Sequence, residues 1–193
     1  MRSKRCVSRG TTLLLLAVCL AGSGCAPRAS QFVREDVDFS FIRRVAVFPF
    51  YNLTQDTYAA QRVQSIFVTE VLAKKEIEMI DRGEVLAVVA EMKLPLDHIL
   101  SPEQIKDLGK RLGADGVFFG TIEEYGLDRT SHDPSQVVTG VYQLCETQAG
   151  GTIWSSQTRT DGTSLLRKFF GGGTAGIYDV ARANVRAALG TLF

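Results

Sequence analysis

The sequence predicts an α/β (α+β) domain built on a mixed sheet, and three observations predict it. In the first half, short apolar runs typical of strands alternate with stretches of helical spacing, so we expect a strand-helix-strand unit and two further helices. In the second half, strand-like runs joined by turn sequences predict an antiparallel meander. The last segment predicts a closing C-terminal helix. With 193 residues, 45% of them hydrophobic, the chain is long enough to bury one core.

The first half of the chain alternates two kinds of apolar pattern. Residues 44–50 are short, β-branched and apolar on both faces, which favours a strand in the middle of a sheet. Over 57–75, apolar side chains recur at helical spacing and predict an amphipathic helix. Residues 77–80 then predict a second strand, so the first half forms a strand-helix-strand unit.

Two further helices are indicated by the residues at their starts. Asp81 is followed three places later by Glu84, and side chains in this arrangement satisfy the free amides of a new helical turn. Ser101 and Gln104 repeat the pattern, with Pro102 in the first turn, where its missing amide costs nothing. Both positions therefore predict helix starts.

The second half of the sequence predicts strands followed by a final helix. Residues 116–125, 136–146 and 152–160 predict three strands, separated by turn sequences. Consecutive strands joined by short turns pair antiparallel, so we expect a meander. Residues 177–192 repeat apolar side chains at helical spacing and predict the closing helix.

The first residues of the chain resemble an export signal. A basic head precedes an apolar run over 11–21, which is shorter than the roughly 18 to 20 residues of a permanent membrane helix. Small residues then lead to Cys25, an order that resembles the bacterial lipobox, in which the cysteine receives a diacylglyceryl group and an amide-linked acyl chain. Ala26 in the next position resembles the pattern of outer-membrane sorting. A frame ending at Cys19 and a plain secretory signal are the alternatives.

The predicted organisation is a leader over 1–24, a lipidated Cys25 with a linker to residue 40, and a periplasmic domain over 41–193. Removal of the leader takes Lys and Arg from 22 to 18 against 21 acidic residues, a net charge of −3. This balance does not favour a nucleic-acid partner. Cys145 is then the one remaining thiol, and its strand-like setting predicts a buried, inert side chain.

Four short motifs resemble one family in the same order and with compatible spacing. They are VAVFPFYN at 45–52, IDR at 80–82, LGKRLGADG at 108–116 and TIW at 152–154. Together they resemble lipoproteins related to the curli secretion component CsgG, within a wider group that includes LpoB-like activators of cell-wall synthases. Each motif also has a structural explanation: Gly113, for example, permits a left-handed helix end.

The resemblance implies a function exerted through protein contacts. We expect an outer-membrane lipoprotein on the periplasmic face that acts as a non-catalytic accessory or assembly factor of a curli-type export system, with homo-oligomers implied by the curli branch. The alternative is an activator that docks on a peptidoglycan synthase. Leu166, Phe169 and Phe170 lie in an apolar and basic stretch that is a candidate partner contact; the alternative there is a simple connection to the closing helix.

Catalytic chemistry finds little support in the sequence. An enzyme would need His98 or His132 to approach an acid and a nucleophile, and neither histidine has metal-ligand spacing. The glycine-rich stretch 171–176 lacks the Lys-Ser/Thr pair of a phosphate loop. Glu123 and Glu124 are expected on opposite faces of a strand and so unable to share a proton. We therefore predict no catalytic residue, no metal site and no cofactor apart from the lipid on Cys25.

Overall fold

One mixed sheet organises the residues described by the computed structural model, which are 29–34, 39–74, 77–96, 99–130, 134–163 and 175–193. These residues form seven strands, four α-helices and one short 3₁₀ turn, and the predicted fold class is confirmed. In chain order the strands and helices are β1 (Ala29–Val33), β2 (Arg44–Val47), β3 (Tyr51–Asn52), α1 (Ala59–Leu72), β4 (Glu78–Met79), α2 (Arg82–Glu91), α3 (Pro102–Leu112), β5 (Gly116–Asp128), β6 (Ser135–Glu146), β7 (Thr152–Asp161) and α4 (Ile177–Leu189).

The sheet has a parallel half and an antiparallel half. Its strand order is β1-β7-β6-β5-β2-β4, with β3 also pairing along β5. Strand β2 is parallel to both β4 and β5, and β3 is parallel to β5. Strands β5, β6, β7 and β1 pair antiparallel in turn. The meander predicted for the second half is therefore present, and β1 extends it by one strand.

Helices pack on both faces of this sheet but not over its whole width. Helices α1 and α4 cover one face, where their apolar side chains join Phe118, Tyr142 and Trp154 in the larger core cluster. Helices α2 and α3 cover the other face only around β2, β4 and the first part of β5, and they form a second cluster with Ala46 and Val117. Among the described residues, the antiparallel half thus has helices on one face only.

The ends of α3 follow directly from its sequence. The Ser101 side chain accepts a hydrogen bond from the Gln104 amide, and the Gln104 side chain accepts one from the Ser101 amide. This reciprocal capping box satisfies two otherwise free donors. The helix ends at Gly113, whose φ of 60° is left-handed and suits a residue without a Cβ. Asp81 likewise caps α2 by accepting from the Gly83 amide at 2.7 Å.

Two parts of the chain differ from the expectation. Residues 29–33, expected within a linker, form β1 and pair with 154–158 of β7. The strand predicted over 44–50 ends at Val47, and a separate two-residue strand, β3, follows at Tyr51–Asn52. Pro49 has no amide hydrogen to continue the ladder, which explains this interruption.

Candidate interaction surface

The side chains that the sequence analysis considered for a function lie outside the described residues. They are Cys25, Leu166, Phe169, Phe170, His98 and His132. The residues that flank several of these side chains in the sequence are nevertheless described. The lipidation at Cys25, the partner contacts and the absence of a catalytic role for the histidines remain predictions.

The direction of β1 shows where the predicted lipid tether leaves the domain. Ala29 lies opposite Thr158 and Val33 lies opposite Trp154, so the chain before Ala29 leaves toward the end of the sheet where β7 finishes. Asp128 pairs with Ser135 at this same end, which we call the tether end. Three residues lie between Cys25 and Ala29, and a fully extended chain covers the four Cα–Cα steps from Cys25 to Ala29 in at most about 14 Å.

The stretch that contains the predicted partner contacts is attached at the tether end on both sides. Gly162, directly after β7, donates a backbone hydrogen bond to the Gln136 carbonyl at 2.7 Å. Ala175, two residues before α4, donates to the Gly162 carbonyl at 3.4 Å. The chain therefore departs from and returns to nearly the same point. The segment carrying Leu166, Phe169 and Phe170 is joined to the domain on the side from which the tether leaves.

A groove of about 470 Å³ lies beside these attachment points. Arg62 of α1, Tyr125 of β5 and Tyr178 of α4 contribute to its lining. A hydrogen bond with Tyr125 and the negative charge of Asp56 raise the pKa of Arg62 above its ordinary value. Arg62 also pairs with Asp56 at 2.9 Å and lies 6.0 Å from the centre of the Tyr58 ring. The groove combines aromatic surface with a cation that is already paired.

A second groove, of about 580 Å³, lies at the other end of the sheet. Phe39 and Ile42 line it from the segment before β2, and Leu192 and Phe193 line it from the C-terminal residues. The ammonium group of Lys74 lies 5.6 Å from the centre of the Phe193 ring. This groove is more apolar in character than charged, and it lies far from the point where the predicted tether leaves.

In its antiparallel half, the face of the sheet opposite α1 and α4 presents mostly polar side chains, some of them charged. Directly opposite residues lie on one face of a sheet, and one such row runs from Thr121 through Val141 and Gln157 to Ser30. The next row of residues on the same face ends at Phe32, whose side chain is 52% exposed. This half of the sheet therefore offers a flat surface that ends in an exposed aromatic ring.

Glu123 and Glu124 lie on this same face of the sheet, which differs from the expectation for two adjacent strand residues. A β-bulge lies between Ile122 and Glu124, and an extra residue of this kind breaks the alternation of side chains along a strand. Glu123 accepts from Gln157 at 3.2 Å, and Glu124 accepts from Arg159 at 3.1 Å. Because Gln157 and Arg159 are two apart on β7, both carboxylates lie on one face, and the predicted opposite orientation is wrong. Each carboxylate nevertheless has its own partner.

The buried side chains of Glu146 and Cys145 each have a structural explanation. The Glu146 carboxylate, 6% exposed, accepts backbone hydrogen bonds from Gln148, Ala149 and Gly151 and closes the turn between β6 and β7. Cys145 is buried as predicted, and burial raises the pKa of its thiol. Within the described ranges, no three His, Cys, Asp or Glu side chains are grouped closely enough to hold a metal ion.

No helix among the described residues combines the length and apolar character needed to cross a bilayer.

Comparison with solved structures identifies proteins of the same fold. The PelC dodecamer from Paraburkholderia phytofirmans matches with a TM-score of 0.58 and 18% identity, over 86% of this chain and 97% of that one. Lipoprotein GNA1162 from Neisseria meningitidis matches with a TM-score of 0.51 and 19% identity, over 67% of this chain and 90% of that one. At these identities the likeness defines a fold. No protein-family model matches the chain, and no curated protein matches it by sequence.

A weaker likeness involves one of the groups named in the sequence resemblance. The LpoB C-terminal domain from Salmonella enterica matches with a TM-score of 0.47 and 13% identity, over 76% of this chain and 92% of that one. This score is too low to support a functional assignment. The likenesses also do not show membership of the curli branch, so the expected curli-type role is not established.

Proposed function

We propose that this protein is an outer-membrane lipoprotein, anchored through Cys25 on the periplasmic face, whose domain acts by binding other proteins as an assembly factor of an envelope export system. The observation that carries the proposal is the direction of β1. It brings the predicted lipid to the same end of the sheet as the attachment points of the segment that holds Phe169 and Phe170.

The anchor supports a role at a membrane surface. A thioether-linked diacylglyceryl group together with an amide-linked chain provides the two signals that stable attachment requires. With about 14 Å between lipid and β1, the domain stays close to the bilayer. A partner in the outer membrane would then meet the tether end first, because this end is the nearest to the lipid.

Proteins of the same fold have properties that agree with this proposal. One is called a lipoprotein, and another forms a dodecamer. We extend both properties to this chain: attachment through lipid, and assembly with other copies or with other envelope proteins. An assembly factor of this type needs accessible surface more than it needs reactive groups.

The contacts of the buried and half-buried acidic groups support a non-catalytic role. Asp115 accepts backbone hydrogen bonds from Arg43 and Arg44, which joins the start of β2 to the start of β5. Glu146 closes a turn, and Glu70 pairs with two arginines of α4. A general acid or base needs a carboxyl group that can reach a substrate proton, and these groups are committed to the fold.

The proposal is tested by affinity capture of the lipidated protein from cross-linked cells, followed by mass spectrometry. We expect components of an export system in the captured material, and an N-terminal peptide that begins with acylated Cys25. The variant Cys25→Ser should lose attachment to the outer membrane. Capture of a peptidoglycan synthase in place of export components would contradict the export role, and a mature chain without acyl groups would contradict the anchor.

A second arm tests the predicted contact residues. The double variant Phe169→Ser with Phe170→Ser should fold normally and capture less of the same partners. The matched control is Ile99→Ser, which removes an apolar side chain that is 93% exposed in another loop. Equal capture by the double variant and the control would show that these phenylalanines do not contact the partner.

A further inference from the structure

Strand β1 forms an edge of the sheet that lacks the usual protection against pairing. It is the first strand in the sheet order, so its outer side has no neighbouring strand among the described residues. Its sequence, Ala-Ser-Gln-Phe-Val, contains no charge and no proline. Natural edge strands usually carry lysine, proline or a bulge, or are very short, because an unprotected edge pairs with another strand.

The opposite edge of the sheet shows the contrast. Strand β4 is two residues long, and Glu78 at its start pairs with Arg44 at 3.3 Å. A short edge with a charged residue is a poor template for a further strand. Among the described residues, the surface suited to strand addition is therefore β1.

The hydrogen bonds of β1 show which of its backbone groups face outward. The Arg34 amide donates to the Ile153 carbonyl at 3.0 Å. Bonded and non-bonded pairs alternate along an antiparallel ladder, so Phe32 and Ser30 also bond to β7. The amide and carbonyl groups of Ala29, Gln31 and Val33 then point away from the sheet, and they are spaced symmetrically about Gln31.

We propose that β1 pairs antiparallel with β1 of a second copy, with Gln31 facing Gln31 across a two-fold axis. In this register Ala29 faces Val33 of the other copy, so the outward groups of both strands are satisfied together. The side chains agree with this occupant: the uncharged Gln31 pair can exchange amide hydrogen bonds, and Ser30 lies beside the exposed Phe32 ring of the other copy.

The position of the tether agrees with a second copy as the occupant. This step rests on the proposed lipid anchor. Antiparallel pairing places the two β1 N-termini at opposite ends of the joined strands. With the two-fold axis perpendicular to the membrane, the strands lie along its surface and both Cys25 residues are at the same height, each connected to β1 through three residues. Anchoring in one membrane also raises the local concentration of the copies, which strengthens an interface made by only a few backbone hydrogen bonds.

Disulfide trapping tests the register. The two Gln31 residues form a hydrogen-bonded pair whose Cα atoms are about 5.5 Å apart, within the range of a disulfide. Ser30 is adjacent to Gln31 and exposed, but the two Ser30 residues are diagonal neighbours about 7 to 8 Å apart. Under mild oxidation, Gln31→Cys should give at least about tenfold more disulfide-linked dimer than the control Ser30→Cys.

Equal dimer from the two cysteine variants, or none from either, would overturn the proposed pairing. The experiment is run on the lipidated chain in membranes and on concentrated Cys25→Ser protein. If the soluble protein alone cross-links and acylated Cys25 is not found, the anchor is wrong but the pairing stands. If acylated Cys25 is found and no cross-link forms, the anchor stands and the pairing is wrong.

A charge variant provides a readout that does not depend on oxidation. Gln31→Lys places two ammonium groups opposite each other and should remove the dimer in sedimentation velocity, with an unchanged circular dichroism spectrum. The control is Gln148→Lys, the same exchange at an exposed turn residue away from β1. A dimer that persists in Gln31→Lys, or cross-linking of Gln31→Cys only to a different protein, would contradict the proposal.

Discussion

The two halves of the sheet differ in how many of their faces are covered. The parallel half, formed by β2, β4 and the first part of β5, has α1 on one face and α2 with α3 on the other. The antiparallel half, formed by β6, β7 and β1, has α4 on one face and presents polar side chains on the other. A strand buried on both faces contributes to stability but offers little surface to a partner, so we expect the interaction surface in the antiparallel half.

The largest loss of stability is expected for a substitution in the parallel half, where helices cover both faces of the sheet. Phe118 is fully buried and contacts Phe67 and Trp154 with ring centres 5.1 and 6.3 Å away. Phe118→Ala should lower the free energy of unfolding by about 3–5 kcal/mol in chemical denaturation, because it leaves a cavity. Phe32→Ala on the open edge should change it by less than about 0.5 kcal/mol. Similar losses at both positions would contradict the distinction between the halves.

A smaller effect is expected where α4 meets the antiparallel half. Asn184 is fully buried; it accepts from Tyr142 at 2.9 Å and Thr158 at 3.0 Å, and it donates to the Val138 carbonyl at 3.0 Å. Asn184→Ala should cost about 2–3 kcal/mol in denaturant unfolding, because the groups it pairs are left buried without partners.

The control for Asn184 is Gln61→Ala, which truncates an exposed amide side chain on α1. Its unfolding free energy should stay within about 0.5 kcal/mol of the parent protein. An equally small loss of unfolding free energy in Asn184→Ala would mean that water or a rearranged side chain replaces the hydrogen bonds of Asn184. The Asn184 network would then not hold α4 in place.

Helix α3 covers one face of the parallel half, and the contribution of its N-terminal cap to stability can be measured. Ser101→Ala removes the acceptor for the Gln104 amide and should destabilise the protein by about 1 kcal/mol in thermal unfolding. Ser65→Ala is the matched control, since its hydroxyl donates to the Gln61 carbonyl within α1 and caps nothing. A larger loss for Ser65→Ala than for Ser101→Ala would contradict the importance of the cap.

The smallest change in stability is expected for the ion pairs between α1 and α4, which join the two halves. Glu70 of α1 lies 2.8 Å from both Arg186 and Arg182 of α4, and Arg186 first, then Arg182, hold its pKa below the ordinary value. Because the folded-state pKa is lowered, the stabilisation is fully present above about pH 4.5 and is lost as the pH falls through the folded-state pKa.

The variant Glu70→Gln should therefore be less stable than the parent by about 1 kcal/mol or less at pH 7, since both arginines are largely exposed. In denaturant titrations at several pH values, this difference should shrink as the pH falls below about 4.5. A difference that grows in acid would have the wrong sign for a carboxylate stabilised by arginine.

Sequence reasoning succeeded where short-range patterns decide the structure. The capping box at Ser101, the cap at Asp81 and the helix end at Gly113 depend on residues within a few positions, and each lies where the pattern predicted it. The buried Cys145 followed from the apolar run that surrounds it. By contrast, Glu123 and Glu124 were placed on opposite faces because alternation cannot reveal a bulge, which depends on how β5 registers with β6.

The sequence by itself predicted the fold class, the starts of α2 and α3 and the end of α3, because each rests on local spacing and composition. The lipidation signal that it also indicates stays a prediction. Only the tertiary structure decided that residues 29–33 form an edge strand, for their sequence has no periodicity and gains its hydrogen bonds from β7, more than 120 residues later. It alone also decided that the antiparallel half keeps one face open. Burial and pairing between distant segments are properties of the packed chain, and no local pattern contains them.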